Sequence, residues 1–470
     1  MCDGDDGPIV PSIGAEDQRS PGTVGVVGMD DSAQLLDLAR HLTRIPEQRS
    51  AHLGSIGYGG TQEGDRVLIA VDRSYDPDVV AAIAAALRER GAVVDVHVHD
   101  SGDDRRFTET DELDVAIRYE PWARTPRRWE GDPRIEALAE REGYDLLVHG
   151  RGGPTGQTPY RYEQVPWMLR DHFTPEVVAY PSEVIAAAAQ LTWDAIWERG
   201  RGARVSFTDL EGSDFGFSLD PTYWDGTHHG WIAEPKRWYG HLFGHPTPPL
   251  PHADAEGTVR GTTSHFSRAF PSLTLSLADG QVTEVEGGGA YGAAWAEKLE
   301  ETRHTRYPGF SRPGLFNLWE AAIGGHPKVR RPGAIEWWSS GGFEWERRRS
   351  GVVHLGFGTF WRGPDEAWAA ERGLAYGHLH VHQLFPTYRL HTADGSVVTL
   401  IENGRLTALD DPRVRAVAER YGDPDELLRE DWVPPVPGLT EEGSYEEYAR
   451  DPASFVYGGA AAETGVDRRP

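Results

Sequence analysis

A strand–helix–strand unit near the start of the chain limits the fold more than any other feature. Arg66-Val-Leu-Ile-Ala-Val71 is a short apolar run, the pattern of a strand covered on both faces. Asp76-Pro77 comes next, pairing an N-cap acceptor with a proline whose fixed φ suits the first helical position. This predicts a helix through Val79 and Leu87 that stops near Gly91, and then a strand over 92–98. Strands joined through a helix lie parallel, with a right-handed crossover. The pattern returns as a helix over 133–143, a strand over 144–149 and a helix over 181–198, with Glu176-Val-Val-Ala-Tyr180 read as one more strand. Ahead of the unit, Leu35, Leu36, Leu38, Ala39 and Leu42 form an apolar stripe that predicts a helix over 32–44. Residues 31–200 therefore read as an open, mostly parallel α/β domain. The glycine-rich loop at 150–156 lacks the Lys-Ser/Thr pair and the dinucleotide spacing of a phosphate cradle.

After Gly200 the period changes. Ala203-Arg-Val-Ser-Phe207, Asp214-Phe-Gly-Phe-Ser-Leu219 and Ser272-Leu-Thr-Leu-Ser-Leu-Ala278 alternate apolar and polar residues. Asp279-Gly280 and Asp394-Gly395 are hairpin turns between such runs. Helices are expected over 290–302, after Asp411-Pro412, and after Asp423-Pro424. Residues 201–430 read as an antiparallel-rich α+β domain, flanked by a disordered segment over 1–30 and a Pro-rich tail over 431–470.

Composition narrows the function. The 470 residues exceed what one core normally organises. A formal charge of −27 repels phosphate backbones and anionic lipid, so nucleic acid and membrane surfaces are poor partners. Cys2 is the sole cysteine, which removes internal disulfides, thiolate zinc sites and Cys-ligated iron–sulfur clusters. No apolar run is long enough to span a bilayer, and Met1-Cys-Asp-Gly-Asp-Asp-Gly-Pro8 has no signal-like character, so a cytoplasmic location is expected.

Any metal must therefore be held by His, Asp or Glu. Gly377-His378-Leu379-His380-Val381-His382 places three imidazoles on one face if the run is extended. A non-haem iron site typically uses two His and one carboxylate. One strand offers at most two adjacent ligands comfortably, so a third must come from elsewhere. His241 is the first choice, followed by Glu320 and His354, with His228, His229 and His245 behind them. Each histidine taken singly also fits an ordinary place in a core. The aromatics of the second half, among them Trp224, Trp319 and Trp361, suit either a core or a pocket for a planar substrate.

The order of these motifs resembles the thermophilic metalloaminopeptidase family, of the aminopeptidase T and S type. Its first strand and helix are similar to the stretch that opens with Gly64-Asp-Arg-Val-Leu-Ile-Ala-Val71 and runs through Arg90-Gly91-Ala92. Its Gly-Thr-Asp-Leu stretch is similar to Gly212-Ser-Asp-Phe215, and its Gly-Glu-Val-Phe-x-x-Pro metal motif to Gly240-His241-Leu-Phe243-Gly-His-Pro246. Its Glu before a Gly-x-Asn-Pro turn resembles Glu320-Ala-Ala-Ile-Gly324-Gly-His-Pro327, its His-x-Ala-x-Gly stretch His354-Leu-Gly-Phe-Gly358, and its His-x-Asp pair His378-Leu-His380. The likeness spans about residues 60–410 in short motifs.

The departures from that pattern shift the expected chemistry. His241 stands where the family has Glu, His380 where it has Asp, and Phe360 or Trp361 where it has a catalytic Tyr. Losing two anionic ligands works against a dinuclear peptide hydrolase, which must neutralise two cations. The ligand pattern is more similar to the 2,5-dihydroxypyridine 5,6-dioxygenase branch of the same scaffold. That resemblance implies a mononuclear non-haem Fe(II) dioxygenase that uses O₂ for extradiol-type cleavage of a small hydroxylated aromatic or heteroaromatic ring. It implies His241, His378 and His380 as metal ligands, with Glu320 able to complete the triad and His354 as an acid/base group. His380 with His382 is the alternative pair. A metal-dependent aminopeptidase or related hydrolase with two Zn, Co or Mn ions is the alternative function, and a non-catalytic binding descendant the third. The resemblance also implies a homodimer.

Overall fold

The computed structural model describes residues 29–44, 48–50, 54–56, 58–71, 75–99, 133–149, 157–164, 170, 173–225, 254–264, 268–330, 348–360, 364–430 and 433–456. The expectations for residues 1–28, for the loop at 150–156, for His228, His229, His241, His245 and Trp361, and for residues 457–470 lie outside them. The described chain divides into two compact units, one up to Ala179 and one from Tyr180 onward.

The first unit holds α1 (Met29–Leu42), β1 (Gln48–Ser50), β2 (Gly54–Ile56), β3 (Arg66–Val71), α2 (Pro77–Glu89), β4 (Val93–Val98), α3 (Pro133–Arg141), β5 (Leu146–His149), β6 (Arg161–Gln164) and α4 (Pro175–Val178). Its main sheet runs β4-β3-β5-β6 with every pairing parallel, and α2 is the crossover that parallel pairing of β3 and β4 requires. Asp76 caps α2 by accepting from the backbone N–H groups of Asp78 and Val79. Leu68, Ala70 and Leu147 on one face of the sheet pack with Ile135, Leu138 and Ala139 of α3. The strand expected at 176–180 is instead most of α4 and the turn that follows it. Thr174 in extended conformation and Pro175 at the first helical position start a helical turn, and this overrides the β-branched Val177-Val178 pair.

The second unit opens with α5 (Ser182–Arg199), β7 (Arg204–Asp209), β8 (Asp214–Ser218), α6 (Thr222–Asp225), β9 (Glu256–Thr263), β10 (Ala269–Ala278), β11 (Gln281–Gly287) and α7 (Gly289–Thr302). It continues with β12 (Leu318–Ile323), β13 (Val353–Gly358), α8 (Pro364–Glu371), β14 (His378–Gln383), β15 (Pro386–His391), β16 (Val397–Glu402), β17 (Arg405–Leu406), α9 (Pro412–Ala418), α10 (Pro424–Leu427) and α11 (Tyr445–Arg450). Its strands make an eight-stranded antiparallel sheet, β11-β10-β9-β8-β7-β15-β16-β17, and a three-stranded antiparallel sheet, β12-β13-β14. The chain is thus a parallel α/β region followed by an antiparallel-rich one. At the β10–β11 hairpin, Asp279 and Gly280 both take positive φ, 51° and 81°, as that two-residue turn demands.

The small sheet meets the large one through bridges at Ser264–Val381 and Gln281–Asn317. At Gly261 the approach is so close that a Cβ would sit 2.6 Å from a Val381 methyl. The segment expected to be a Pro-rich tail is built into this unit over 433–456, where Val436 and Tyr448 pack on Val352, Leu384 and Phe385. Among the described residues no helix is long and apolar enough to cross a membrane.

Candidate metal centre

The three-stranded sheet is buried on both faces, and its register assembles the site. Glu320 of β12 stands opposite Gly356 of β13, which stands opposite His380 of β14. One step along, Ala322, His354 and His382 form the next row. Gly358 and His378 pair on the same face. That face carries the histidines, and the other carries Leu318, Leu355, Phe357, Leu379 and Val381.

Glu320 reaches this face because of a bulge. Leu318 pairs with Phe357 and Glu320 with Gly356, so Trp319 is an extra residue in β12. An extra residue inverts the alternation beyond it. Without it Glu320 would share the face of Leu318 and point away from the histidines. Gly356 supplies the room in the middle of the row. A Cβ there would lie 3.0 Å from the Glu320 Oε2 and 3.2 Å from the His380 Cδ2.

Three ligand atoms converge across that gap. Glu320 Oε2 lies 3.3 Å from His354 Nε2 and 3.4 Å from His380 Nε2. The ligand atoms of Glu320, His354 and His380 all lie within 4.8 Å of one another, and all three side chains are buried. First-row ions with bonds of about 2.0–2.2 Å hold adjacent donors about 3–3.5 Å apart. Donor set, spacing and central gap therefore fit one divalent ion, bound by two imidazoles and one carboxylate. Such a set discriminates weakly among Fe, Zn, Co and Mn.

The ligand rings are held from behind. His354 Nδ1 lies 2.9 Å from His382 Nε2. If His354 binds through Nε2, its proton sits on Nδ1 and is donated to His382, the arrangement that orients a metal-binding imidazole. The His354 and His380 rings stack with centroids 4.1 Å apart. Tyr291 on α7 donates its hydroxyl to the His380 carbonyl at 3.0 Å. The chain leaving β14 is pinned by buried side chains: Asp209 accepts from the Phe385 N–H at 2.8 Å, and Arg349 donates to the Leu384 carbonyl at 2.7 Å. Burial pushes the Asp209 carboxyl up to about 6, against the pull of the Glu211 and Phe385 N–H groups. His326, which accepts from the Lys328 N–H through Nδ1, is buried as the neutral ring. Burial and then the Lys328 ammonium lower its pKa to about 3.

Of the residues singled out in the sequence, the fold brings together Glu320, His354 and His380. His378 stands on the same face beside them, edge-on to His380 with centroids 4.7 Å apart, and is not one of the three that converge. His378 also meets the edge of Trp319, at 4.9 Å, and Trp319 meets Phe360 at 5.2 Å. Trp193, Trp197 and Trp224 continue this aromatic cluster. Sequence reasoning missed Gly356, the bulge at Trp319 and the support from Tyr291. The one available signal was the alternation of Gly356 and Gly358 with Leu355 and Phe357, which marks a face where small residues are needed.

No protein-family model matches the chain, and no curated protein matches it. Among solved structures, the chain is similar to the 2,5-dihydroxypyridine dioxygenase of Pseudomonas putida KT2440 at 17% identity and a TM-score of 0.40, over 80% of this chain and 97% of that one. It is also similar to AmpT of Thermus thermophilus at 15% identity and a TM-score of 0.43, over 80% of this chain and 99% of that one.

Proposed function

We propose that this chain is a mononuclear, metal-dependent oxidative enzyme: a non-haem Fe(II) dioxygenase that opens the ring of a small hydroxylated aromatic or heteroaromatic compound. Glu320, His354 and His380 are its ligands in this reading. The observation that supports it is the convergence of two imidazole nitrogens and a single carboxylate oxygen on one buried point. Two neutral rings and one anion suit a single divalent ion and leave open positions for substrate and O₂. A pair of divalent ions calls for more negative charge than this cluster offers. Iron(II), when bound, supplies Lewis acidity toward a ring hydroxyl and the one-electron chemistry that O₂ requires.

The chain's own residues do the rest. Glu320 contributes the one negative charge, and the bulge at Trp319 aims it. His382 fixes the tautomer and rotation of His354. His378, next in the row and outside the ligand set, is the imidazole placed to accept a proton from a substrate hydroxyl. Trp319 and Phe360, packed edge to face beside His378, are in this reading the apolar surface that a planar ring would meet.

The test is O₂ consumption by the full chain reconstituted anaerobically with Fe(II) and offered hydroxypyridines and catechols. Substrate-dependent O₂ uptake with loss of the ring's ultraviolet absorbance is expected. An iron-loaded chain that consumes no O₂, together with O₂-independent release of amino acids from aminoacyl substrates by the Zn, Co or Mn form, would replace this reading with the peptidase.

A further inference from the structure

A second group of histidines lies in the first unit. Ala70 of β3 stands in register with His97 of β4 on one side and His149 of β5 on the other. Residues in register across a parallel sheet share a face, and His99 is two residues beyond His97 on that same face. Ala70 carries only a methyl group between the strands of His97 and His149, and it is His99, one turn of the pleat further on, that meets His149. His99 Nε2 and His149 Nε2 are 3.4 Å apart, with ring centroids 5.5 Å apart and planes tilted by 32°. The His97 ring lies 6.2 Å from that of His99, inclined by 15°. His99 and His149 are buried and His97 is half-buried.

The position is the carboxyl edge of the parallel sheet. There β3 is flanked by β4 on one side and β5 on the other, so the connections leave in opposite directions. Open α/β sheets hold ligands at such a switch point. The separation of the two nitrogens is also informative. At 3.4 Å it is a long contact beside the 2.9 Å of His354 and His382. It matches the edge between two nitrogens on a tetrahedral ion, about 3.3–3.4 Å for bonds of about 2.0–2.1 Å.

We propose that His97, His99 and His149 form a second divalent-metal site, confined to the first unit and taking Zn(II), Co(II) or Ni(II). A His-x-His pair on one strand with a third His from another strand is a known way to present three imidazoles to one ion. His97 joins the set by a change of side-chain rotamer. Among the described residues the carboxylate on the same face is Asp95, and the Tyr144 hydroxyl donates to it at 2.8 Å, so the described donors that gather here are nitrogens. A set of imidazoles suits these ions, and because the Glu320 site discriminates weakly among first-row ions, the two are separated by removing the Glu320 site.

The test is Co(II) titration of the full chain by equilibrium dialysis and visible absorption. The variants are Glu320→Ala/His354→Ala/His380→Ala, which removes the other centre, and the same background with His97→Gln or with His99→Gln/His149→Gln. The triple variant should keep one Co(II) per chain. His97→Gln should weaken it by at least about 10-fold, and the double replacement should abolish it, with circular dichroism unchanged. A folded triple variant that binds no Co(II), or binds it equally well after loss of these histidines, would overturn the proposal. A wild-type chain that saturates at one Co(II), with that ion lost in the triple variant, would overturn it as well.

Discussion

The chain carries two rows of histidines, and the sheets beneath them differ in kind. In the second unit the row sits on an antiparallel sheet, where β12 contributes a carboxylate to the same face through one extra residue, Trp319. In the first unit the row sits on a parallel sheet, and the carboxylate on its face, Asp95, is held by Tyr144. Position on a strand brings imidazoles together in both cases, but only the bulge adds an anion. The difference teaches that a single register shift decides whether an anion joins the imidazoles: Glu320 does so in the second unit, whereas among the described residues Asp95 is tied to Tyr144 in the first.

The largest expected effect comes from removing the anion or its partner. Glu320→Ala or His380→Ala should lower Fe(II) affinity by at least about 100-fold and abolish O₂ uptake, while leaving Co(II) binding in the first unit unchanged. Anaerobic iron dialysis measures this, and equal losses at both centres would break the contrast between the two rows.

Filling the gap between the ligands should come next. Gly356→Ala places a methyl group against Glu320 Oε2 and the His380 ring. Overpacking of this kind costs about 1–3 kcal/mol, and here it should also weaken iron by roughly 10-fold or more. Thermal melting and iron content of the same sample report the two effects. A variant with a lower melting point and full iron content would show that the row tolerates a side chain there.

A smaller loss is expected from the residue that only orients a ligand. His382→Gln should reduce iron affinity by roughly 10–100-fold without abolishing it. Loss as complete as that of His380→Ala would make His382 a ligand and sharpen the assignment in favour of the alternative His380/His382 pair.

The smallest effect concerns pH. Asp209 has a folded pKa near 6, above its ordinary value of 3.8, so its contribution to stability is present below about 4 and is lost as pH rises through about 6. His326, lowered from 6.5 to about 3, has the opposite sign: it stabilises above about 6.5 and loses that contribution as pH falls. Asp209→Asn removes the first and leaves the second. Its melting temperature should therefore drop further than that of the wild type between about pH 6.5 and 4.5, by roughly 2–4 °C. Parallel melting curves would contradict the buried, protonatable Asp209.

The contrast between the two rows also explains what the sequence disclosed. The parallel sheet was legible because β3 is an apolar run and β4 a valine-rich one, punctuated by Asp76-Pro77 and Gly91, signals that local chemistry writes directly. β14 was legible because period two exposes three histidines at once. Glu320, His354 and His382 were recognisable as candidates, yet the roles of His354 and His382 were not separable, since the converging ring and the one behind it are the same residue type. The register that pairs Glu320 with Gly356 was out of reach, because a bulge is one residue with no period of its own. At 176–180 the β-branched residues point to a strand, where Thr174-Pro175 decides the outcome.

The most direct test of the central claim is an anaerobic Fe(II) titration of the wild-type chain beside Glu320→Ala, with X-ray absorption on the iron-loaded wild type. One Fe(II) per chain, ligated by two imidazoles and a carboxylate and absent from the folded variant, is the result this account predicts. Iron held with undiminished affinity by Glu320→Ala, or a wild-type spectrum showing a metal–metal pair at this centre, would contradict it.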